Sequence, residues 1–597
     1  MNLDELRSLA VAAEKLRQQG DLQNAVKIYE RLLSENQADP QITALYCDVL
    51  TEGRQADAAL KWIERTLSAD QIRNHPQVGT AKAKALLGLG RSPEALAGFN
   101  SVVKHHSEWA DGWNNLGCYL LELNRIDEAI PKLIKALALE PTHCKATLAL
   151  AKAYKKRGEI KKSLSTLEDL LLSQDSKPVR YAYIQGLTQD DQYEKALNES
   201  IELCNAKEVD INDEMIKAEA YLNTDNINGY LEILDKTANI NWNGSSNGSK
   251  SIYALFQAGR KAEARYRLEE WLEKFPADHA ARVANAQHLL SNCEFEQGWR
   301  EYEHRMRLGN NQLHYDLLAN WNGCPINDEN VLVIGEQGVG DMCYFSRFLN
   351  AIVKDNPKTT LICEQRMIDL LETSYKDINI IDNPDQIKLL GKPLTKIAIG
   401  SLPLIYGSTA KEIDDLYTPI SARKADEYIW HEILKRDASN KVRIGISLEA
   451  GRIIDITARR NRSIPAILVL EQLKGLPITL VDLQHTGHSN SFYAEAEKFG
   501  LEVLNYPKLT KDLGQLLAMA SALDGIITAQ QTNAHLFGAM HKKGIVILPI
   551  TSHFAFGNDI KSIWYPTLQL MRASGWRDWE SITSALRTVI IKSWLEE

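Results

Sequence analysis

Apolar and small side chains recur along the first two hundred residues on two scales. Ala25, Ala59, Ala95, Ala129, Ser163 and Ala196 follow one another at spacings of 34, 36, 34, 34 and 33. Four residues after each stands Tyr29, Ile63, Phe99, Leu133, Leu167 or Ser200, and three further on Leu32, Thr66, Val102, Ala136, Leu170 or Leu203. Positions i, i+4 and i+7 share one helix face, and the small residue at its head lets a neighbouring helix approach closely. Five near-equal periods predict an array of helical units, none able to bury its apolar face alone. The clearest unit runs Trp113, Leu116, Gly117, Leu120, Ala129, Leu133, Ala136, Pro141.

The period blurs after Lys207, where residues 241–249 read as a turn-rich interruption. It returns at Ala264, Leu268, Trp271 and Pro276, and residues 295–305 predict a last helix before a new domain. From Val331 short β-branched runs alternate with helical stretches. The pattern predicts strands at Val331–Gly335, Thr360–Cys363, Lys396–Ile399, Arg443–Leu448, Ile478–Leu483, Gly525–Ala529 and Ile545–Ile550. Apolar strands spaced by helices indicate parallel sheets with crossover helices. There is room for two such units, parted by the polar stretch Ser421–Asn440.

The unit around Trp113 resembles the tetratricopeptide repeat, with leucine replacing an aromatic at 120 and 133. The resemblance implies paired antiparallel helices stacked into a right-handed superhelix that binds proteins. It places Val11, Leu45, Ala81, Asn115 and Ala149 on the concave groove. O-linked N-acetylglucosamine transferases line that groove with asparagines, but here only Asn115 is one. An apolar groove suits a docked amphipathic helix better than a stretched peptide.

Three stretches of the second half resemble heptosyltransferase-like and repeat-fused GT-B glycosyltransferases. Val331-Leu-Val-Ile-Gly-Glu-Gln-Gly-Val-Gly-Asp341 is a strand entering a glycine-rich turn, with Phe345 and Arg347 on the next helix. Its glycines read GxxGxG, not the dinucleotide fingerprint. Arg459, Arg460 and Arg462 follow the strand and loop that hold Ser447, and forked guanidinium donors suit phosphate. Ile526-Ile-Thr-Ala-Gln-Gln-Thr-Asn-Ala-His-Leu-Phe-Gly-Ala539 reads as strand, turn and helix, with Thr532 and Asn533 at a helix N-terminus that favours anions. Here Gln530 replaces the family's acid and Gln531 its threonine. Loss of that charge leaves room for an already anionic sugar. The closing segment, residues 562–579, matches the same pattern.

The resemblance therefore implies an α-solenoid followed by an α/β GT-B fold of two Rossmann-like domains. The expected boundaries are 1–280 for the superhelix, 281–325 for connecting helices, and 326–425 and 440–597 for the two halves. The function implied is a protein O-glycosyltransferase moving a sugar from a nucleotide donor to Ser or Thr of a repeat-bound protein. Flagellin, with CMP-nonulosonic acid as donor, is the pairing offered by bacterial chains of this kind. Asp341 is the expected base and Glu336 the second choice, although Asp341 at the end of its turn would also serve as a helix cap. Gly338, Gly340, Ser447, Arg459, Arg460, Arg462, Gln484, Gln530, Gln531, Thr532, Asn533 and His535 are the expected donor contacts. Taken alone, His535 reads as a packed helix histidine and the arginines as a solvated loop. Inversion without a metal or other cofactor is implied by the resemblance. His485 and His488 lack a third ligand at recognisable spacing, so a solvated or substrate-lining loop is expected. An inactive scaffold, a UDP-N-acetylhexosamine transferase and a transferase acting on a lipid-linked saccharide are the alternatives.

Composition narrows this picture without changing it. The 597 residues are 44% hydrophobic and 25% charged, as in ordinary folded chains. With 69 Lys and Arg against 78 Asp and Glu, the formal charge is -9, which disfavours bulk attraction to nucleic acid or anionic lipid. Met1–Ala10 has no apolar core and no run reaches the roughly 18 residues a membrane helix needs. The eight cysteines include no CxxC, which fits reduced thiols and a cytoplasmic location.

Overall fold

A left-handed backbone turn marks time along the helical part of the chain. A computed structural model describes residues 3–35, 39–205, 209–242, 245–308, 318–325, 330–390, 394–440, 442–450, 460–485, 488, 490–507, 509, 512–558 and 561–596. In it Gly20, Arg54, Gly90, Asn124, Gly158, Asp191, Asp225, Gly259 and Cys293 all have positive φ. Each ends one helix and sends the chain antiparallel into the next, the left-handed helix ending that glycine and asparagine favour. Their spacing is that of the sequence repeat, and it runs on through the region where side-chain periodicity blurs.

The chain forms two compact units, residues 1–224 and 225–597. In the first, each repeat-head residue is the fourth residue of the second helix of its pair, as in Leu22–Glu35, Ser92–His105 and Ile126–Leu139. Ala25, Ala59, Ala95 and Ala129 are fully buried, as are Tyr29, Ile63 and Leu133 four residues on. Gly117 shows why the unit needs a residue without a side chain there: a Cβ would stand 2.6 Å from Leu133 Cγ. Polar contacts step by about one repeat as well. Arg17 Nε donates to Glu52 at 2.9 Å, Lys84 Nζ to Asp48 at 3.1 Å, and Lys177 Nζ to Asp213 at 2.7 Å.

The second unit opens with helices Ile227–Lys236, Asn247–Gln257, Lys261–Lys274, His279–Ser291 and Phe295–Tyr302. The boundary expected at 280 thus falls inside this unit. The reason is packing: Thr551 Oγ1 donates to Phe256 O at 2.5 Å, Lys261 Nζ to Asn558 at 2.9 Å, and Arg577 Nη1 to Asp225 at 2.5 Å. These helices keep the repeat's turn and pack on one another, while polar contacts tie them to the loops that follow the strands of the second sheet.

Two parallel sheets follow. The first contains β1 (Ala319–Asn320), β2 (Asn330–Ile334), β3 (Thr359–Ile362), β4 (Asn379–Ile381) and β5 (Leu394–Ala398), in the order β1-β5-β2-β3-β4. The second contains β6 (Val442–Ser447), β7 (Ile478–Asp482), β8 (Glu502–Asn505), β9 (Gly525–Ala529), β10 (Gly544–Leu548) and β11 (Leu568–Arg572), in the order β8-β7-β6-β9-β10-β11. All seven strands read from the sequence are present within two residues of their expected limits. β1, β4, β8 and β11 are additional to that reading, because three are short edge or near-edge strands and β11 alternates with polar residues. In both sheets the order reverses beside the first long strand, between β2 and β5 and between β6 and β9. Crevices at such reversals, outside the carboxyl ends of the strands, are where open α/β sheets bind ligands.

Aromatic rings join the halves of this unit. Trp299 sits within 5.4 Å of Phe554, 6.1 Å of Trp564 and 6.3 Å of Phe345, and its Nε1 donates to Gly407 O at 2.9 Å. Arg347, 2% exposed, lies over Trp564 at 4.7 Å and donates to the carbonyls of Tyr344, Ile413 and Trp564 at 3.1, 3.0 and 2.8 Å. Among the described residues no helix is long and apolar enough to cross a membrane.

Two substitutions test these contacts. Gly117→Val should destabilise the repeats by about 1–3 kcal/mol through overpacking, read as an earlier transition in urea. Arg347→Met strands three buried carbonyls and should cost about 3 kcal/mol or more, read by calorimetry as a lowered melting point of the second unit.

Candidate functional site

The second sheet's reversal is built from side chains at strand ends. Ser447 closes β6 and is fully buried. Its Oγ donates to Gln484 Oε1 at 3.3 Å and accepts from Asn533 Nδ2 at 3.1 Å and from Gln531 Nε2. Gln531 Nε2 also reaches Ser447 O at 2.7 Å, and Asn533 Nδ2 reaches Leu483 O at 2.9 Å. Gln484 Nε2 donates to Glu449 O at 2.9 Å. One network therefore ties the carboxyl ends of β6, β7 and β9 to the helix Thr532–Ala539. Four expected donor contacts are brought together, bonded to one another at the strand ends. Gln530 turns aside, and its Oε1 accepts from His553 N–H at 3.1 Å.

The helix Thr532–Ala539 starts at this reversal with no side-chain cap, and Thr532 is exposed. Its first N–H groups are left for solvent or an anion. His535, one turn in, is 8% exposed. Its Nδ1 meets Tyr565 Oη at 3.0 Å, and its ring lies 4.8 Å from Phe556 and 5.4 Å from Tyr344. The donor contact expected of His535 is taken by the chain's own rings, so it is the packed helix histidine of the plainer reading. Burial drives its pKa down to about 3, helped by the charge of Arg462. His553 is likewise held well below the usual imidazole range by burial, His535 and Arg462. Arg462 thus stands close enough to act on both rings, flanking the buried Asn461 together with Arg460. Arg459 lies outside the described residues.

The first sheet's reversal carries the glycine-rich turn. Gly340 abuts the second half: a Cβ on it would stand 3.1 Å from His535 Cδ2 and 3.8 Å from Thr532 Cα. The missing side chain is what allows the helices Val339–Phe345 and Thr532–Ala539 to touch. Gly338 is the N-cap of the first of these, and its N–H donates to Asp341 Oδ2 at 3.1 Å. Asp341 also accepts from Tyr344 Oη at 2.5 Å. Burial raises its pKa, and the two donors offset part of the rise. The expected base is therefore the cap of its own helix as well. Glu336, 3% exposed at its side chain, is paired with Arg305, whose Nη2 donates to it at 2.8 Å and to Ser401 Oγ at 2.9 Å. Arg305 also bonds Glu303 at 2.6 Å. Glu336 is a neutralised partner in an ion cluster, a role that the sequence did not signal because Arg305 lies 31 residues upstream.

The expected loop at 485–488 is half different from its reading. His488 is 8% exposed, not solvated; its Nδ1 lies 2.7 Å from Asp482 Oδ1 and its ring stacks 3.9 Å from Phe492. In the repeats, Val11 is exposed and Leu45 and Asn115 half-buried, whereas Ala81 and Ala149 are 1% and 8% exposed. One turn beyond Leu45 and Ala81 stand Asp48 and Lys84, the ion pair already described. The expected groove positions thus present little continuous apolar surface.

Family models match the first part of the helical region. Residues 16–85 and 120–187 fit one tetratricopeptide-repeat model and residues 80–143 a second. Residues 16–187 are tetratricopeptide repeats. The peroxisomal targeting signal receptor of Yarrowia lipolytica is 28% identical over 99 residues, 17% of each chain. Protein FlbA of Caulobacter vibrioides is 20% identical over 336 residues, 52% of this chain and 54% of that one. The chain spans about half or less of the length of these curated relatives. Among solved structures, a thermophilic tetratricopeptide-repeat protein of Thermus thermophilus is 22% identical, covering 31% of this chain and 99% of that one, with a TM-score of 0.28. PilW, a type IV pilus biogenesis factor, is 19% identical, covering 33% and 91%, also with a TM-score of 0.28.

The depressed histidine gives a pH prediction. His535 stays neutral in the fold down to about pH 3 but gains a proton near 6.5 when unfolded. Stability is thus complete above 6.5 and falls by about 1.4 kcal/mol per pH unit below it. Unfolding free energies from urea titrations between pH 8 and 4 should show this slope added to that of His553, and His535→Phe should reduce the total without abolishing it.

Proposed function

We propose that the chain is a glycosyltransferase that uses a nucleotide-activated sugar and holds its protein acceptor on the tetratricopeptide repeats. The observation that carries this reading is the contact of Gly340 with Thr532. It sets the carboxylate turn of one parallel sheet against the uncapped helix at the reversal of the other. A group transfer needs a base, a place for the leaving phosphate and a geometry that joins them. Asp341, its pKa raised, is the base; the first turn at Thr532, with Arg460 and Arg462 nearby, takes the phosphate; Ser447, Gln484, Gln531 and Asn533 read the nucleoside. The two-sheet architecture is in this reading a GT-B fold. With no acid at Gln530, an acidic sugar such as a CMP-nonulosonate is the favoured donor, and flagellin the favoured acceptor. Location in the cytoplasm belongs to the same reading.

A second reading has its own observation. Asp341 is already capped to Gly338 and Tyr344, and Glu336 is already paired with Arg305. A scaffold that binds proteins through its repeats without catalysis would keep both carboxylates engaged in this way.

The full chain incubated with CMP-, UDP- and GDP-sugars separates the two. The transferase should release nucleotide, with a rate that rises with pH as Asp341 ionises and reaches a plateau. Asp341→Asn should lower turnover about 100-fold or more with little change in nucleotide affinity, whereas Asn533→Ala should weaken affinity. Neither binding nor turnover of any activated sugar would sink the enzyme reading and leave the scaffold.

A further inference from the structure

The middle of the repeats concentrates positive charge in a chain that is acidic as a whole. The helix Cys144–Lys156 holds Lys145, Lys152, Lys155 and Lys156 and no acid, against a formal charge of -9 for the chain. Lys145, Ala149, Lys152 and Lys156 stand at i, i+4, i+7 and i+11, which is one stripe of that helix. Ala149 is an expected groove position. Lys156 Nζ donates to Leu121 O at 3.4 Å, so the stripe faces the end of the first helix of the preceding repeat, Ala110–Glu122. The corresponding stripe there is Asp111, Asn115, Cys118 and Glu122, and Asn115 is again an expected groove position.

Most charges near this face are answered within the fold. In the neighbouring repeats Lys84 pairs with Asp48 and Lys177 with Asp213. Asp111 accepts from His143 Nε2 at 3.1 Å, and His143 Nδ1 accepts from Ala146 N–H at 3.2 Å. Lys145 and Lys152 are different: both are exposed, and neither makes an ion pair or a side-chain hydrogen bond among the described residues. Beside them Cys118 Sγ donates to Asn114 Oδ1 at 3.6 Å. Asn114 is 4% exposed and its Nδ2 has no hydrogen-bond partner among the described residues, yet the atom is not closed off from solvent. Its N–H groups are thus held in place and open. Glu122, exposed at the end of its stripe, makes no ion pair among the described residues. Burial and Glu122 push the Cys118 thiol up while Lys152 and Lys145 oppose the rise, which groups all three charges around that sulfur.

Two such ammonium groups on one stripe, about 10.5 Å apart along the helix axis, beside open amide donors, form a surface of donors that lacks acceptors. We propose that this face docks an extended acidic segment of a protein partner, with its side-chain carboxylates on Lys145 and Lys152 and a backbone carbonyl on Asn114 Nδ2. The spacing fits such a segment: in a polyproline-type chain every third side chain returns to one side, about 9 Å further on. An amphipathic helix, the occupant expected from the sequence, has no apolar seat here, because Ala149 is 8% exposed and lysines flank it. Charge supplies the complement: acids on the partner meet cations that the fold leaves unanswered, and a basic segment is repelled. The surface needs the repeats to be a docking arm, as in the proposed function, but no transfer chemistry. Peptide binding and nucleotide release are separate measurements, so either reading can fail without the other.

Fluorescence anisotropy of the full chain with a labelled peptide of four Glu-Pro-Ala repeats tests this, against the same peptide built on Gln-Pro-Ala. The acidic peptide should bind saturably and lose affinity as salt rises, and the glutamine peptide should not bind. Lys145→Gln combined with Lys152→Gln, both at exposed positions, should weaken binding about fivefold or more. Lys61→Gln combined with Lys161→Gln removes the same charge from the second helices of two repeats and should leave affinity within about twofold. Glu122→Gln removes the competing carboxylate and should tighten binding. Asn114→Ala should weaken binding without changing its salt dependence. No saturable binding of the acidic peptide, equal binding of the glutamine peptide, or an equal loss from the Lys61 and Lys161 substitutions would overturn the proposal.

Discussion

The second unit depends on a buried cation that makes no ion pair among the described residues, Asp414 acting on it only as a minor charge. Arg347 lies between the rings of Trp564 and Tyr417 and bonds three main-chain carbonyls from separate parts of the chain. Removing a guanidinium from water is costly, and its pKa is pushed down accordingly. Carbonyl dipoles and ring faces offset that cost only if all of them are in place at once. The position of Arg347 therefore fixes the loop after β10 against the helices after β2. Everything at the contact of the halves, from Gly340 to Thr532, inherits its precision from that arrangement.

This explains why the glycines of the turn are where they are. A phosphate-cradling loop uses glycine to open backbone to a ligand. Here Gly340 lets a helix carrying His535 come close, and Gly538 does the same for Tyr565, whose ring a Cβ would meet at 2.4 Å. The same residue type in a similar spacing serves packing at one position and exposure at another. Only the environment of each Cα separates the two.

Legibility in the sequence followed the range of the interactions. The repeats were readable because each helix pair meets its neighbour at a constant separation, so local pattern and tertiary contact coincide. The long parallel strands were readable because burial on both faces leaves unbroken apolar runs. β4 and β8 are short edge strands with polar residues at their ends, Asn379, Glu502 and Asn505, and leave none. Ser447, Gln484, Gln531 and Asn533 meet at the reversal because they end strands or start a helix, positions that the alternation of apolar runs and turns marks in the sequence. What could not be read was commitment. Nothing local says that Glu336 is answered by Arg305. The groove position at Ala81 likewise has no sequence mark separating a buried alanine from an exposed one.

The constant left-handed turn has a wider implication. Because Gly90, Asn124 and Gly158 stand 34 residues apart in the same backbone state, a segment of that length is a unit whose two ends are geometrically interchangeable. Excising residues 125–158 would rejoin Asn124 to Glu159 with the following helix entering in its native phase. Arrays built on such a joint can grow or shrink by whole modules between related chains, while the sheets downstream, anchored by contacts of no fixed spacing, cannot.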